Sequence, residues 1–154
     1  MKIMGLDPGV SATGYGIIVD GKRAIFGTIR PKDKNYLKKI SFICNEVKSI
    51  IKDYKPEVVS LEKAFFQKNV ASLIKISELR GAILYLLLQN NIKFVEYTPA
   101  QIKLTTTGNG RASKKQVRFI MERMILKNKT RISNHAIDAL AIAYTAMRKL
   151  KCHL

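Results

Sequence analysis

The chain begins with MKIMGLDPGVSATGYG (residues 1–16), in which a short apolar run stops at a carboxylate. Residues 3–6 predict a buried strand, and Asp7 follows at its end, before the turn formed by Pro8 and Gly9. A strand anchored in a core holds the acid at its end rigidly, as a reacting group requires. Because Asp before Pro-Gly is also ordinary turn chemistry, this stretch alone leaves both a structural and a functional role open for Asp7.

A second predicted strand, residues 58–61, also ends on an acid, Glu62. Apolar residues recur at helical spacing over residues 36–54, so a helix separates this strand from the opening strands. A helical crossover is the connection that parallel neighbouring strands need. If the two strands are adjacent, Asp7 and Glu62 lie side by side at the sheet edge where α/β proteins bind ligands.

The remaining pattern predicts a single mixed-sheet α/β domain over residues 1–154. Further strands are expected at 15–19, 24–29 and 94–97, the first two joined by the hairpin signal Asp20-Gly21. Helices are expected at 70–89, directly after Thr98, from 113 to about 126, and from 132 onward. Residues 105–112 predict a flexible Gly-rich loop, and 148–154 a frayed basic tail.

The predicted helix at residues 70–89 is apolar on more than one face. Such a helix must be buried against more than one surface. One surface is the sheet. The other is either the rest of a monomer core or a second subunit, and the pattern alone does not choose between them.

Charge indicates the kind of partner. The chain has 28 Lys and Arg against 11 Asp and Glu, a formal net charge of +17, which favours a polyanion, nucleic acid first. Between residues 111 and 131 the charged side chains are basic except for one acid. This run of positive charge predicts a phosphate-contacting surface that includes Arg111, Lys114, Lys115 and Arg118. We expect no membrane partner, because no apolar run approaches about 20 residues. We expect a cytoplasmic protein, because Cys44 and Cys152 are isolated, as in a reduced cytosolic protein.

The last predicted helix carries His135 and Asp138, which lie on one helical face because they are three residues apart. Together with Asp7 and Glu62 they form the candidate catalytic and metal-binding site. Carboxylate oxygens suit Mg²⁺ or Mn²⁺, and a pair of such ions can promote phosphodiester hydrolysis. His135 is either a helix-start residue without chemistry or a ligand or general acid/base. A basic protein with an acidic metal site is the charge pattern of a metal-dependent nuclease.

Four blocks, in chain order, carry a more specific likeness. They are GLDPGVSATGYG (5–16), LEKAFFQKN (61–69), TPAQIK with GNGRASKKQV (98–103 and 108–117), and HAIDALAIAY (135–144). Together they resemble the RuvC-type Holliday-junction resolvases of bacteria and their phages. The resemblance extends from residue 3 to about residue 146.

The resemblance implies an RNase H-like fold, a five-stranded mixed sheet flanked by helices. It implies a homodimer through the helix at 70–89 that makes paired, symmetric nicks in four-way DNA junctions during recombination and repair. From the carboxylate chemistry we expect Mg²⁺, two ions per site, with Mn²⁺ as a possible substitute. The resemblance adds a branch-migration motor as a possible partner.

The resemblance also assigns roles to residues. Asp7, Glu62 and Asp138 match the catalytic acids of the family, whereas His135 stands where some members have Asp and others His. Phe65 matches an aromatic residue that family members place near the opened junction centre. Lys103 and Lys114 match basic residues near the scissile backbone.

Three other functions compete with this interpretation. An RNase H-fold nuclease that processes structured RNA would have the same site. A junction-binding protein without activity would have no reason to keep clustered acids. A nucleotide-binding ATPase with a similar opening turn needs two such domains, for which 154 residues are too few.

Overall fold

A five-stranded mixed sheet forms the centre of the computed structural model, which describes residues 1–63, 69–125 and 131–151. Its strands are β1 (Lys2–Asp7), β2 (Thr13–Val19), β3 (Arg23–Ile29), β4 (Val58–Glu62) and β5 (Lys93–Tyr97). They lie in the order β3-β2-β1-β4-β5, with β1 antiparallel to β2 and parallel to β4. The expected mixed α/β sheet is therefore confirmed, with β1 in its middle.

Helices cover both faces of this sheet. They are α1 (Tyr36–Tyr54), α2 (Val70–Gln89), α3 (Pro99–Thr107), α4 (Lys114–Met124) and α5 (Asn134–Lys151). Residues of α3, α4 and α5 form one apolar core with one face of the sheet, and residues of α1 and α2 form a second core on the other face. Within the described ranges, no helix combines the length and the apolar character that a membrane crossing requires.

Local capping chemistry sets several helix boundaries. Thr98 and Ser113 each begin a helix with a capping box, as the sequence predicted. The prediction of a loop over residues 105–112 is wrong at its start, because α3 continues to Thr107 and ends at Gly108, whose φ is 78°. The Thr106 hydroxyl is buried and donates to the Ile102 carbonyl at 2.8 Å, which satisfies it inside the helix.

The end of the chain also differs from expectation. Helix α5 continues to Lys151, so the prediction of a frayed tail is wrong for residues 148–151, and residues 152–154 lie outside the described part. Met147 is buried and Leu150 packs against the core, and these contacts hold the last turns of the helix. Helix α4 ends at Met124, slightly before the predicted residue 126, which also lies outside the described residues.

Glycines on β1 and β2 let α5 lie directly on the sheet. A Cβ at Gly5 would overlap the carbonyl oxygen of Ala139 and lie 2.6 Å from the Ala143 nitrogen. A Cβ at Gly14 would overlap the carbonyl oxygen of His135. The obstacles are backbone atoms, which cannot rotate away as a side chain can. The position of α5 therefore depends on the absence of side chains at these two residues.

We expect Gly5→Ala to destabilise the fold by about 1–3 kcal/mol or more, because the added methyl group forces α5 away from β1. Urea denaturation measures the change in the free energy of unfolding. The matched control is Gly110→Ala, where the new Cβ would lie at an ordinary 3.5 Å from its nearest neighbour. Equal stability of the two variants would contradict the close packing of α5.

Candidate active site

Two acids meet where neighbouring parallel strands end. Leu6 of β1 pairs with Leu61 of β4, so the next residues, Asp7 and Glu62, emerge at the same edge of the sheet. Both line a cleft of about 650 Å³, which His135 and Asp138 of α5 also line. The four candidate residues thus share one cavity, which we call the acidic cleft.

The start of α5 is held against the sheet by hydroxyl groups. Ser133 Oγ accepts a hydrogen bond from the Ala136 amide at 3.1 Å and lies 2.6 Å from the hydroxyl of Thr28 on β3. This cap orients the first turn of α5, which carries His135. The imidazole Nδ1 then lies 2.9 Å from Asp7 Oδ2, which links α5 directly to the end of β1.

Thr13 closes the turn that follows Asp7. Its side chain is buried, and its hydroxyl donates to the Gly9 carbonyl at 2.8 Å and lies 3.3 Å from the Gly9 amide. The turn is held by Thr13, and the Asp7 carboxylate is directed toward His135 instead. Of the two roles that the sequence left open for Asp7, this geometry favours the functional one.

Burial raises the pKa of Asp7 above its ordinary value; the hydrogen bond with His135 opposes this shift and the charge of Asp138 adds to it. Burial also raises the pKa of Glu62, and the nearby charges of Asp7 and Asp138 add to the effect. Clustered, partly desolvated carboxylates are costly to ionise without positive charge nearby. The acidic cleft is therefore a place where cations would be bound favourably.

Lysines provide part of that positive charge. Lys114 Nζ, at the start of α4, lies 3.5 Å from Asp138 Oδ2, and Lys103 of α3 lines the same cleft. Both lysines lower the pKa of Glu62, although less than burial raises it. The two lysines that the family resemblance placed near the scissile backbone thus lie at the acidic cleft.

The donor set of the acidic cleft suits a hard divalent cation, since three of its four candidate groups are carboxylates. In the part of the chain that the structure describes, however, no three such groups are already arranged closely enough to hold a metal ion. Lys114 is the cation that lies beside Asp138 here. The donor set therefore fits a divalent cation in its chemistry, whereas the side chains of the described residues are not grouped as metal ligands.

The other predicted contacts lie in different places. Arg111 and Lys115 are exposed near the start of α4. Arg118 instead bonds Glu122 at 2.8 Å, Asn134 at 2.6 Å and the Ile132 carbonyl at 2.9 Å. Arg118 therefore joins α4 to the start of α5, a structural role that the one-sign charge run did not reveal. Phe65 lies outside the described residues.

Arg80 is a residue of the cleft that the sequence analysis missed. From α2 its Nε donates to the Glu62 carbonyl at 3.3 Å, and its guanidinium pairs with Glu96 of β5. It also lines the acidic cleft. The sequence signal that could have indicated this role is a single arginine within a largely apolar helix. Such an arginine, when buried, needs a partner for its charge.

Comparisons with known proteins agree with this geometry. The family model described as "Crossover junction endodeoxyribonuclease RuvC" matches residues 3–146. A curated relative of that name from Chloroherpeton thalassium is 38% identical over 148 residues, covering 93% of this chain and 80% of its own length.

Solved structures show the same fold. The structure of Thermus thermophilus RuvC has a TM-score of 0.86 at 26% identity, covering 99% of this chain and 97% of that one. T. thermophilus RuvC in complex with Holliday junction substrate has a TM-score of 0.91 at 24% identity, covering 99% and 96%. The resemblance carried by the four sequence blocks is confirmed: the chain belongs to the RuvC family of crossover junction endodeoxyribonucleases.

Proposed function

We propose that this chain is a structure-selective endonuclease that resolves four-way DNA junctions by metal-dependent hydrolysis of phosphodiester bonds. The observation that carries this proposal is the acidic cleft, where Asp7, Glu62, His135 and Asp138 meet in a chain of net charge +17. Relatives named as crossover junction endodeoxyribonucleases support DNA over RNA as the substrate. The solved complex of a Thermus relative with a Holliday junction supports the four-way junction.

Asp7, Glu62 and Asp138 would hold the metal, with His135 as a fourth group. We infer Mg²⁺ with Mn²⁺ as a substitute and two ions per site, from the hard oxygen donors and the family. When bound, such ions supply stabilisation of charge at the scissile phosphate and a more acidic water. The raised pKa values of Asp7 and Glu62 support this role, because a divalent cation relieves the repulsion between the acids.

The chain's own groups have separate tasks. When His135 Nδ1 donates to Asp7 Oδ2, the hydrogen bond orients the imidazole ring and leaves Nε2 as the ring nitrogen available to a ligand. Lys103 and Lys114 place positive charge where a phosphodiester would approach the acids. Arg111 and Lys115 would contact the DNA backbone further along α4. Phe65, Arg118, a branch-migration motor and a cytoplasmic location stay predictions from the sequence.

We also propose a homodimer formed through α2. Leu79, Ile83 and Leu87 are its buried residues. A second set of residues recurs every three, four or seven positions along α2 and is exposed on its outer side. These residues are Val70, Ile74, Gly81, Tyr85 and Leu88. An exposed apolar stripe of this kind is typical of a helix that packs against a partner.

Gly81 supports this interpretation. It lies in the middle of α2, where glycine costs about 1 kcal/mol relative to alanine. Nothing in the described chain lies within 4 Å of a Cβ at this position, so no contact with the described residues requires glycine. Close approach of a partner helix would require it. Two sites related by a two-fold axis would also make paired nicks natural.

Asp7→Asn should reduce junction cleavage by at least about 100-fold while junction affinity is kept or increased, since a carboxylate is lost and the lysines remain. A gel assay with each strand of a four-way junction end-labelled in turn, in Mg²⁺ or Mn²⁺, measures cleavage. Linear duplex and structured RNA serve as comparison substrates. Asp53→Asn, at an exposed position of α1, is the matched control. Normal turnover by Asp7→Asn would contradict the assignment of the acidic cleft as the active site.

The raised pKa values of Asp7 and Glu62 predict how stability depends on pH without metal. The folded chain binds these protons more tightly than the unfolded chain, so stability falls as pH rises from the ordinary carboxyl pKa to the raised one. At neutral pH the ionised acids destabilise the fold. Asp7→Asn should therefore raise the melting temperature in EDTA at neutral pH and change it less near about pH 4. A lower melting temperature at neutral pH would contradict this sign.

Leu88→Glu should convert the dimer to a monomer, because it places a charge in the proposed interface. Light scattering coupled to size-exclusion chromatography measures the mass. Leu37→Glu changes an equally exposed leucine on α1, 70% exposed against 61% for Leu88, and should leave the dimer intact. A wild-type chain that is monomeric at micromolar concentration would rule out this interface.

A further inference from the structure

A second cavity opens beside the acidic cleft. It has a volume of about 450 Å³ and lies between the turn after β1, the start of α1 and the first turns of α2. Gly9, Ile76 and His135 line both cavities. His135 therefore stands at the boundary between the two cavities, which are neighbours on the surface of the subunit.

Three lysines line this second cavity, which we call the lysine cavity. Lys34 precedes α1, Lys39 is in the first turn of α1, and Lys75 comes from α2. Among its lining residues in the described part of the chain there is no carboxylate. Surfaces normally mix charges of both signs, so cations gathered in a concave site from separate segments indicate an anionic ligand.

Among the described residues, no salt bridge joins Lys34, Lys39 or Lys75 to a carboxylate. One negative charge lies nearby, because the Glu78 carboxylate of α2 accepts a hydrogen bond from the Tyr36 hydroxyl. Lys75 Nζ lies 5.7 Å from the centre of the Tyr36 ring, a cation–π contact that holds the ammonium beside the cavity without removing its charge. Ser11 and Ser72 add small polar side chains to the same lining.

Two lysines of the acidic cleft and two lysines of the lysine cavity come from helices on opposite faces of the sheet. Lys103 and Lys114 line the acidic cleft but not the lysine cavity, and they come from α3 and α4. Lys39 and Lys75 come from α1 and α2, on the opposite face of the sheet. A strand whose scissile phosphate lies at the acids would meet lysines before and after the cut.

We propose that the lysine cavity binds the phosphodiester backbone of the cleaved DNA strand immediately beside the scissile bond. This inference rests on the proposed function and adds a contact surface to it. Its ligand is the backbone phosphate, recognised by charge, so the contact contributes affinity and register and no base preference.

The test compares two double variants that lose the same charge. Lys39→Gln with Lys75→Gln empties the lysine cavity of two cations. Lys48→Gln with Lys93→Gln removes two exposed lysines that line neither cavity. Junction affinity is measured by fluorescence anisotropy in Ca²⁺ between about 50 and 200 mM salt. Affinity falls with salt, and the magnitude of the slope of log affinity against log salt should decrease by about 2 in the cavity variant. In the control variant the slope should stay nearly unchanged.

A second measurement identifies the phosphates themselves. Junctions are prepared with a neutral methylphosphonate at one backbone position at a time on either side of the cut. A phosphate that lies in the lysine cavity costs the wild-type chain affinity when neutralised, but costs the Lys39→Gln, Lys75→Gln variant much less. Both double variants are first checked for wild-type melting temperature, so that loss of folding is not mistaken for loss of contact.

The outcomes separate the two levels of inference. A wild-type chain that binds the four-way junction no better than linear duplex overturns the proposed function. Selective wild-type binding with equal salt slopes for the two double variants overturns the lysine cavity alone. Selective binding, a reduced slope only in the cavity variant and a methylphosphonate effect adjacent to the cut establish the proposal.

Discussion

The contact between α5 and the middle of the sheet is the constraint on which the site depends. At Gly5 and Gly14 the backbone of α5 lies where a side chain would otherwise be. This brings the first turn of α5 close enough for His135 Nδ1 to reach Asp7 Oδ2 at 2.9 Å. Protein interiors are packed too densely to absorb a displaced helix locally. A shift of α5 would therefore separate the two halves of the acidic cleft.

The distribution of charge has a related logic. The chain is strongly basic, yet its acidic cleft gathers carboxylates whose pKa values are raised by burial and mutual repulsion. Such a cluster lowers the stability of the empty fold, a common cost of sites arranged for chemistry. Lys114, beside Asp138, opposes part of this effect by lowering the pKa of Asp7 and of Glu62. A basic exterior around an acidic pocket lets one protein attract a polyanion and still bind cations where the polyanion is to be cut.

Helix α2 connects the proposed dimer to the site. Its inner residues pack on the sheet, its outer stripe is the proposed interface, and Arg80 on its flank bonds the carbonyl of Glu62 and the side chain of Glu96. The first turns of the same helix contribute Lys75 to the lysine cavity. One helix thus contacts the end of β4 and carries residues of both the proposed dimer interface and the proposed backbone-binding surface. Arg80 was missed from the sequence because an arginine's partner lies wherever the fold brings a carboxylate.

Local sequence patterns were enough to predict most of the helices and strands and the two acids at strand ends, although the end of α3 and the last turn of α5 differed. Apolar periodicity and capping residues are local, and they place Asp7 and Glu62 at the ends of two strands, whereas the crossover rule only makes a parallel pairing of those strands plausible. The structure shows that the two strands are neighbours. Three contacts became visible only in the folded chain: α5 against the sheet edge, Lys114 beside Asp138, and Arg118 against the start of α5. The physical reason is separation along the chain: His135 and Asp7 are 128 residues apart, and their contact depends on packing angles and on two glycines whose neighbours no local pattern reveals.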